Sequence, residues 1–142
     1  MNRANLLRMA KYIAEVPQEK FNMFDFRTGD KSTIECNSVG CVIGHCTVLE
    51  NLEELEKFRT LGPKNIDFDF DSWSAVFTGL PSNEDKWGWC FGYSWVYSDN
   101  TPKGAAQRIV YLVNHGLPTN WERQMKGLDT LCYTDIKIED YE

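Results

Sequence analysis

Between residues 87 and 97 every second position is aromatic: Trp87, Trp89, Phe91, Tyr93, Trp95 and Tyr97 alternate with Gly88, Cys90, Gly92, Ser94 and Val96. Rings at this density need a core to receive them, because burying one large apolar side chain is worth roughly 1.5 to 3 kcal/mol. At period two the segment reads as a strand with one aromatic face. At period four, Trp87, Phe91 and Trp95 form a helical stripe through about Phe91 with a looser continuation. Periodicity does not choose between the two. Most of the rings belong in a core, and Trp95 or Tyr97, nearest the polar Ser98-Asp99-Asn100 turn, is the expected anchor for a protein partner.

The rest of the chain reads as mainly α. Leu6, Met9, Ala10, Ile13 and Ala14 recur at helical spacing and Pro17 follows them. Ser38 is placed to cap a helix over about Val39 to Leu49, and Asn51, with Glu54 three residues on, opens one through Leu52, Leu55 and Phe58 that stops at Gly62-Pro63. Ile66 to Asp71 alternates like a short strand, after which Asp71 caps a helix over Ser72 to Leu80. Pro81-Ser82 marks another start. Thr101-Pro102 opens the clearest helix, with Ala105, Ala106, Ile109, Leu112 and Val113 on its buried side and Gly116 and Pro118 at its end. After Trp121 the chain turns polar, and Leu131 to Ile138 reads as a short strand or tail segment. The expectation is a compact single-domain bundle of about five helices with at most a minor β-hairpin, residues 1–134 forming the body and 135–142 an acidic tail.

Composition narrows the function classes. At 142 residues the chain fits one core. Fifteen Lys and Arg against twenty-one Asp and Glu give a net charge of -6, without the basic cluster that neutralising a nucleic-acid backbone requires. The longest apolar or small run, Val39 to Gly44, is far too short to span a membrane. The first twenty residues contain neither an unbroken apolar stretch nor a small-residue cleavage site, and five cysteines are an odd number. Reduced thiols in a cytoplasmic protein are therefore expected.

Cys36-Asn37-Ser38-Val39-Gly40-Cys41-Val42-Ile43-Gly44 resembles the C-[GN]-[TS]-x-[AG]-C-x-x-G signature of a family of small uncharacterised bacterial and phage proteins. Phe21-Asn22-Met23, Trp89-Cys90-Phe91, Thr101-Pro102, Arg108-Ile109 and Gly116 resemble further family segments, the last three a TP-capped final helix. The resemblance implies a compact, mainly helical domain often carried by phages and mobile elements. It brings no catalytic residues, and His45 stands where the family commonly has an aromatic.

Cys36, Cys41 and His45 are soft ligands of the kind zinc prefers, and Cys41 with His45 has the composition of a thiol nucleophile and its base. The spacing matches no paired C-x2-C pattern, and no oxyanion donors can be named beside the thiol. Buried cysteine packing is the simpler reading. Asp67, Asp69 and Asp71 begin like a calcium loop, but Ser72 and Thr78 occupy the positions that need Gly and Glu. Acidic residues gather instead at Glu50, Glu53, Glu54 and Glu56, around Asp67 to Asp71, and at the C-terminus. These features point to a non-enzymatic protein-interaction module without cofactor, a phage-type inhibitor or modulator of a basic, nucleic-acid-binding host protein. Trp95, Tyr97, Glu53, Glu56, Asp67 and Asp69 are its candidate contacts. The alternative is a thiol- or zinc-dependent site at Cys36, Cys41 and His45.

Overall fold

The computed structural model describes residues 1–23, 41–61 and 66–138. Its centre is an α-helical pair. Helix α1, Arg3–Ala14, starts where the Asn2 side chain accepts the Asn5 amide at 3.0 Å, and it buries Leu6, Met9, Ala10 and Ile13. Its main neighbour is a helix almost a hundred residues away in sequence, Pro102–His115, which buries Ala105, Ala106, Ile109, Leu112 and Val113. Thr101 caps that helix through the Gly104 amide at 3.0 Å, as the Thr-Pro signal indicates.

Between them the chain forms helix α2, Val42–Cys46, which tightens into a 3₁₀ turn over Thr47–Leu49, and helix α3, Leu52–Glu56. The expected cap Ser38 and the residues Val39 and Gly40 lie outside the described residues; Cys41 is the N-cap, so the helix starts later than expected. Asn51 caps α3 through the Glu54 amide at 2.9 Å. The chain then enters strand β1, Arg59–Leu61, antiparallel to β2, Ile66–Phe68, in the register Arg59 to Phe68 and Leu61 to Ile66. This is the minor hairpin.

Helix α4, Phe70–Thr78, is capped by Asp69 and not by Asp71: the Asp69 carboxylate accepts from the Ser72 amide at 3.1 Å and from the Ser72 hydroxyl at 2.7 Å. Burying Phe70, Trp73 and Phe77 on one side requires the helix to begin at Phe70, which moves the cap two residues back. Gly79, at φ +70°, ends the helix in the left-handed conformation that glycine adopts without penalty.

The aromatic segment is helical. Helix α5 runs Asp85–Phe91 and a 3₁₀ turn follows over Tyr93–Tyr97. Helix α6 is the Pro102–His115 element, and α7, Trp121–Met125, is a short helix that the polar composition there conceals. Leu131 to Ile138 forms no strand. It is held against α6 by Gln107, whose amide donates to the carbonyls of Thr134 at 3.0 Å and Ile136 at 2.9 Å. Ile136 and Ile138 pack on the core, so the body continues past residue 134. The mainly helical single bundle stands as expected, with seven α-helical segments among the described residues, four of them seven residues or shorter.

At the heart of the bundle lies a charge. Arg108 is fully buried on α6, its guanidinium 4.0 Å from the centre of the Trp95 ring and 5.3 Å from that of Tyr133. Nη1 donates to the Tyr133 hydroxyl at 2.9 Å and stands 3.4 Å from Asp99 Oδ2, while the Tyr133 hydroxyl donates to the same carboxylate at 2.7 Å. Thr101 donates to the other Asp99 oxygen at 2.6 Å. Trp89 donates its indole N–H to the Arg108 carbonyl at 2.9 Å, and Trp95 donates to the Trp89 carbonyl at 2.8 Å. Burial pulls the guanidinium below its ordinary pKa, and Tyr133 and Asp99 oppose that pull. Nε and Nη2 find no hydrogen-bond partner among the described residues.

Gly104 makes room for this arrangement: a Cβ there would collide with the Asp99 carboxylate. Gly104→Ala is therefore expected to lose about 1 to 3 kcal/mol through overpacking. Arg108→Ala, which empties a fully buried site and leaves the largely covered Asp99 carboxylate without its cation, is expected to lose about 3 kcal/mol. Urea unfolding of both variants beside wild type measures the difference, and wild-type midpoints in either would refute this account of the core.

Candidate functional site

Trp95 is not a surface anchor. It is fully buried, edge-on to Trp89 at 5.3 Å and to Tyr133 at 5.9 Å, with Arg108 over its face. The 3₁₀ turn after Gly92 rotates it inward, whereas Tyr97 at the end of the same turn is 76 % exposed. Tyr97 stands on the α7 side of the molecule, where the Ser98 hydroxyl donates to the Met125 carbonyl at 2.9 Å and Leu128 is also exposed.

Of the thiol and zinc candidates, Cys36 lies outside the described residues. Cys41 is buried at the N-cap of α2. His45 Nε2 is 2.6 Å from the Lys20 carbonyl, an acceptor only, so that nitrogen carries the proton and Nδ1 is the basic one. No group of three His, Cys, Asp or Glu side chains comes together among the described residues. Burial pushes the Cys46 thiol well above its ordinary pKa, with Cys41 adding to the shift. Burial likewise pushes Cys90 up to about 12, against the opposing effect of Arg108. Cys132 is exposed.

The acidic candidates do converge. Glu53 and Glu56 are exposed on α3, beside Leu52, which is 72 % exposed. At the far end of the hairpin the Asp69 amide donates to the Phe58 carbonyl at 2.8 Å, which fixes the start of α4 beside the end of α3. Phe68 supports the corner from within, its ring 6.4 Å from Phe58 and 4.8 Å from Phe70. The end of one acidic stretch and the start of the other are thus held together at the backbone; in the sequence, residues 50 to 71 carry seven carboxylates against three basic side chains. Lys57 pairs with Glu54 at 2.8 Å and Arg59 with Glu56 at 3.3 Å, both within exposed i,i+3 pairs that offset charge weakly. Partial burial, and then the Asp69 carboxylate, raise the Asp71 pKa above its ordinary value, as crowded anions do. Asp67 is placed on β2 opposite Thr60, and its side chain lies outside the described part.

Sequence reading missed the buried ion pair. Its available signals were Asp99 before a Thr-Pro cap and Gly104 between Asp99 and Arg108, but nothing local shows that the three meet. No helix among the described residues is long and apolar enough to cross a membrane.

The thiols supply a test of the site's chemistry. A native-state labelling reagent is expected to modify Cys132 and leave Cys46 and Cys90 protected until unfolding. A buried thiol whose folded pKa is raised is almost wholly neutral in the native state, so Cys90 should stay far slower to label than the exposed Cys132 at both pH 7 and pH 8. Rapid labelling of Cys90 at pH 8, read by mass spectrometry, would overturn this placement. No family model matches the chain, and no curated protein or solved structure is significantly similar to it.

Proposed function

We propose that the chain is a non-catalytic, cytoplasmic protein-binding module that presents its acidic corner to the basic surface of a nucleic-acid-binding protein. The observation that carries this reading is the hydrogen bond from the Asp69 amide to the Phe58 carbonyl, which sets the head of α4 beside the end of α3, the helix on which Glu53 and Glu56 are exposed. Leu52, exposed between Asn51 and Glu53, adds an apolar anchor with a charged rim, the usual composition of a binding hot spot and its surround. Complementary charge would raise the rate of encounter and discriminate among partners more than it would add affinity. The resemblance to small bacterial and phage proteins is in keeping with a host protein as the target.

The test compares wild type with the double variant Glu53→Lys/Glu56→Lys, two exposed side chains whose replacement leaves the core untouched. Each is immobilised, exposed to bacterial lysate at low and moderate salt, and the retained proteins are identified. Wild type is expected to retain a basic nucleic-acid-binding protein, to displace that purified protein from DNA, and to bind it at least about tenfold more tightly than the variant does. Equal retention by both forms, or no specific protein at either salt, would sink the proposal.

A further inference from the structure

A chain with net charge -6 carries one basic flank, on α1. Arg3, Arg8 and Lys11 line a shallow cavity of about 470 Å³ floored by Ala4 and Leu7. Lys11 also lines a second, of about 560 Å³, with Ala14, Glu15, Lys103 and Ile138. The two adjoin at Lys11, along the same helix.

Its arginines are fixed in place by neutral oxygens. Arg3 donates to the Val113 carbonyl at 3.1 Å and to the Asn114 side chain at 3.2 Å. Arg8 donates to the Asn5 side chain at 3.2 Å and to the Leu49 carbonyl at 3.0 Å, its guanidinium 5.8 Å from the centre of the Phe77 ring. The contrast with the other described arginines is complete: Arg59, Arg108 and Arg123 each pair with a carboxylate. Arg3, Arg8, Lys11 and Lys103 form no ion pair among the described residues, nor does Glu15 at the rim. Two guanidinium groups are thus oriented in advance with their charge uncompensated, above an apolar floor. Orientation before binding lowers the ordering cost of a charged contact.

We propose that this groove binds an acidic peptide segment in extended form, its carboxylates on Arg3, Arg8, Lys11 and Lys103 and an apolar or aromatic side chain on Ala4, Leu7, Ala14 and Ile138. From Arg3 to Ala14 the helix rises about 16 Å, the length of about five extended residues. The apolar floor selects a peptide over a nucleic-acid backbone, which would offer it nothing to bury. The site is separate from the acidic corner, and its partner carries the opposite charge. After Ile138 the sequence reads Glu139-Asp140-Tyr141-Glu142, a segment with the ligand's chemistry, which makes it the competitor to control for.

The probe is a fluorescein-labelled hexapeptide bearing four carboxylates, one tyrosine and one leucine, titrated into the full chain and followed by anisotropy. Expected are saturable binding that weakens with salt, no binding of the same peptide with amides for carboxylates, and a loss of at least about tenfold in Lys11→Glu/Lys103→Glu. Circular dichroism checks that this variant is folded, and the charge-matched Lys86→Glu/Lys126→Glu, at exposed lysines outside the groove, is expected to bind the peptide nearly as wild type does. Absence of saturable binding, an undiminished Lys11→Glu/Lys103→Glu variant, or tighter binding of a duplex oligonucleotide would overturn the proposal. Binding that appears only in the full chain carrying Glu139→Gln, Asp140→Asn and Glu142→Gln would overturn it in favour of residues 139–142 as the occupant.

Discussion

The contact on which this structure depends is the one between the Arg108 guanidinium and what surrounds it. A cation with no solvent exposure is costly to place, and a buried pair repays that cost only when its geometry is good and its donors are used. Here Nη1 is used by Tyr133 and Asp99, and the flat face of the group lies on Trp95. The partners come from Asp99, two residues before the α6 cap, from the 3₁₀ turn after α5 and from the segment beyond α7. One side chain therefore holds four parts of the chain in register, which packing of interchangeable apolar groups would do less selectively.

That contact also explains the aromatic comb. Alternation along residues 87–97 suggests that rings point one way and small residues the other, but the helix and 3₁₀ turn place Trp95 on the Arg108 guanidinium with Trp89 edge-on to Trp95, and leave Tyr93 and Tyr97 exposed. Trp89 and Trp95 each spend their indole N–H on a buried carbonyl, so neither leaves a donor unsatisfied. Tyr97, one residue beyond Val96, falls outside the cage and remains on the surface.

What was legible in the sequence was local. Helix α1 and helix α6 follow from apolar spacing and from caps that act within three residues, and so does the start of α3. The Asp69 cap was misplaced at Asp71 because both carboxylates suit the position, and only the demand that Phe70, Trp73 and Phe77 share a buried face decides between them. The acidic corner was half legible: its residues stood out, but their convergence depends on a backbone hydrogen bond across the hairpin that no spacing rule encodes. Trp95 was misread for the same reason, since its burial depends on Arg108 and Tyr133, residues 13 and 38 positions away. The α1 groove was not legible, because its arginines acquire neutral partners from α6 and from the 3₁₀ turn after α2.

The pairing of α1 with α6 has a consequence in time as well as in space. Residues 3–14 bury their apolar face chiefly against residues 102–115, so during synthesis α1 precedes its main partner by almost a hundred residues. At about 5 to 20 residues per second that interval is roughly 5 to 20 seconds, far longer than a helix takes to form. Until then the apolar side of α1 has only the smaller surfaces of α2 and α4 to pack on. Completion of the central helix pair therefore waits on α6.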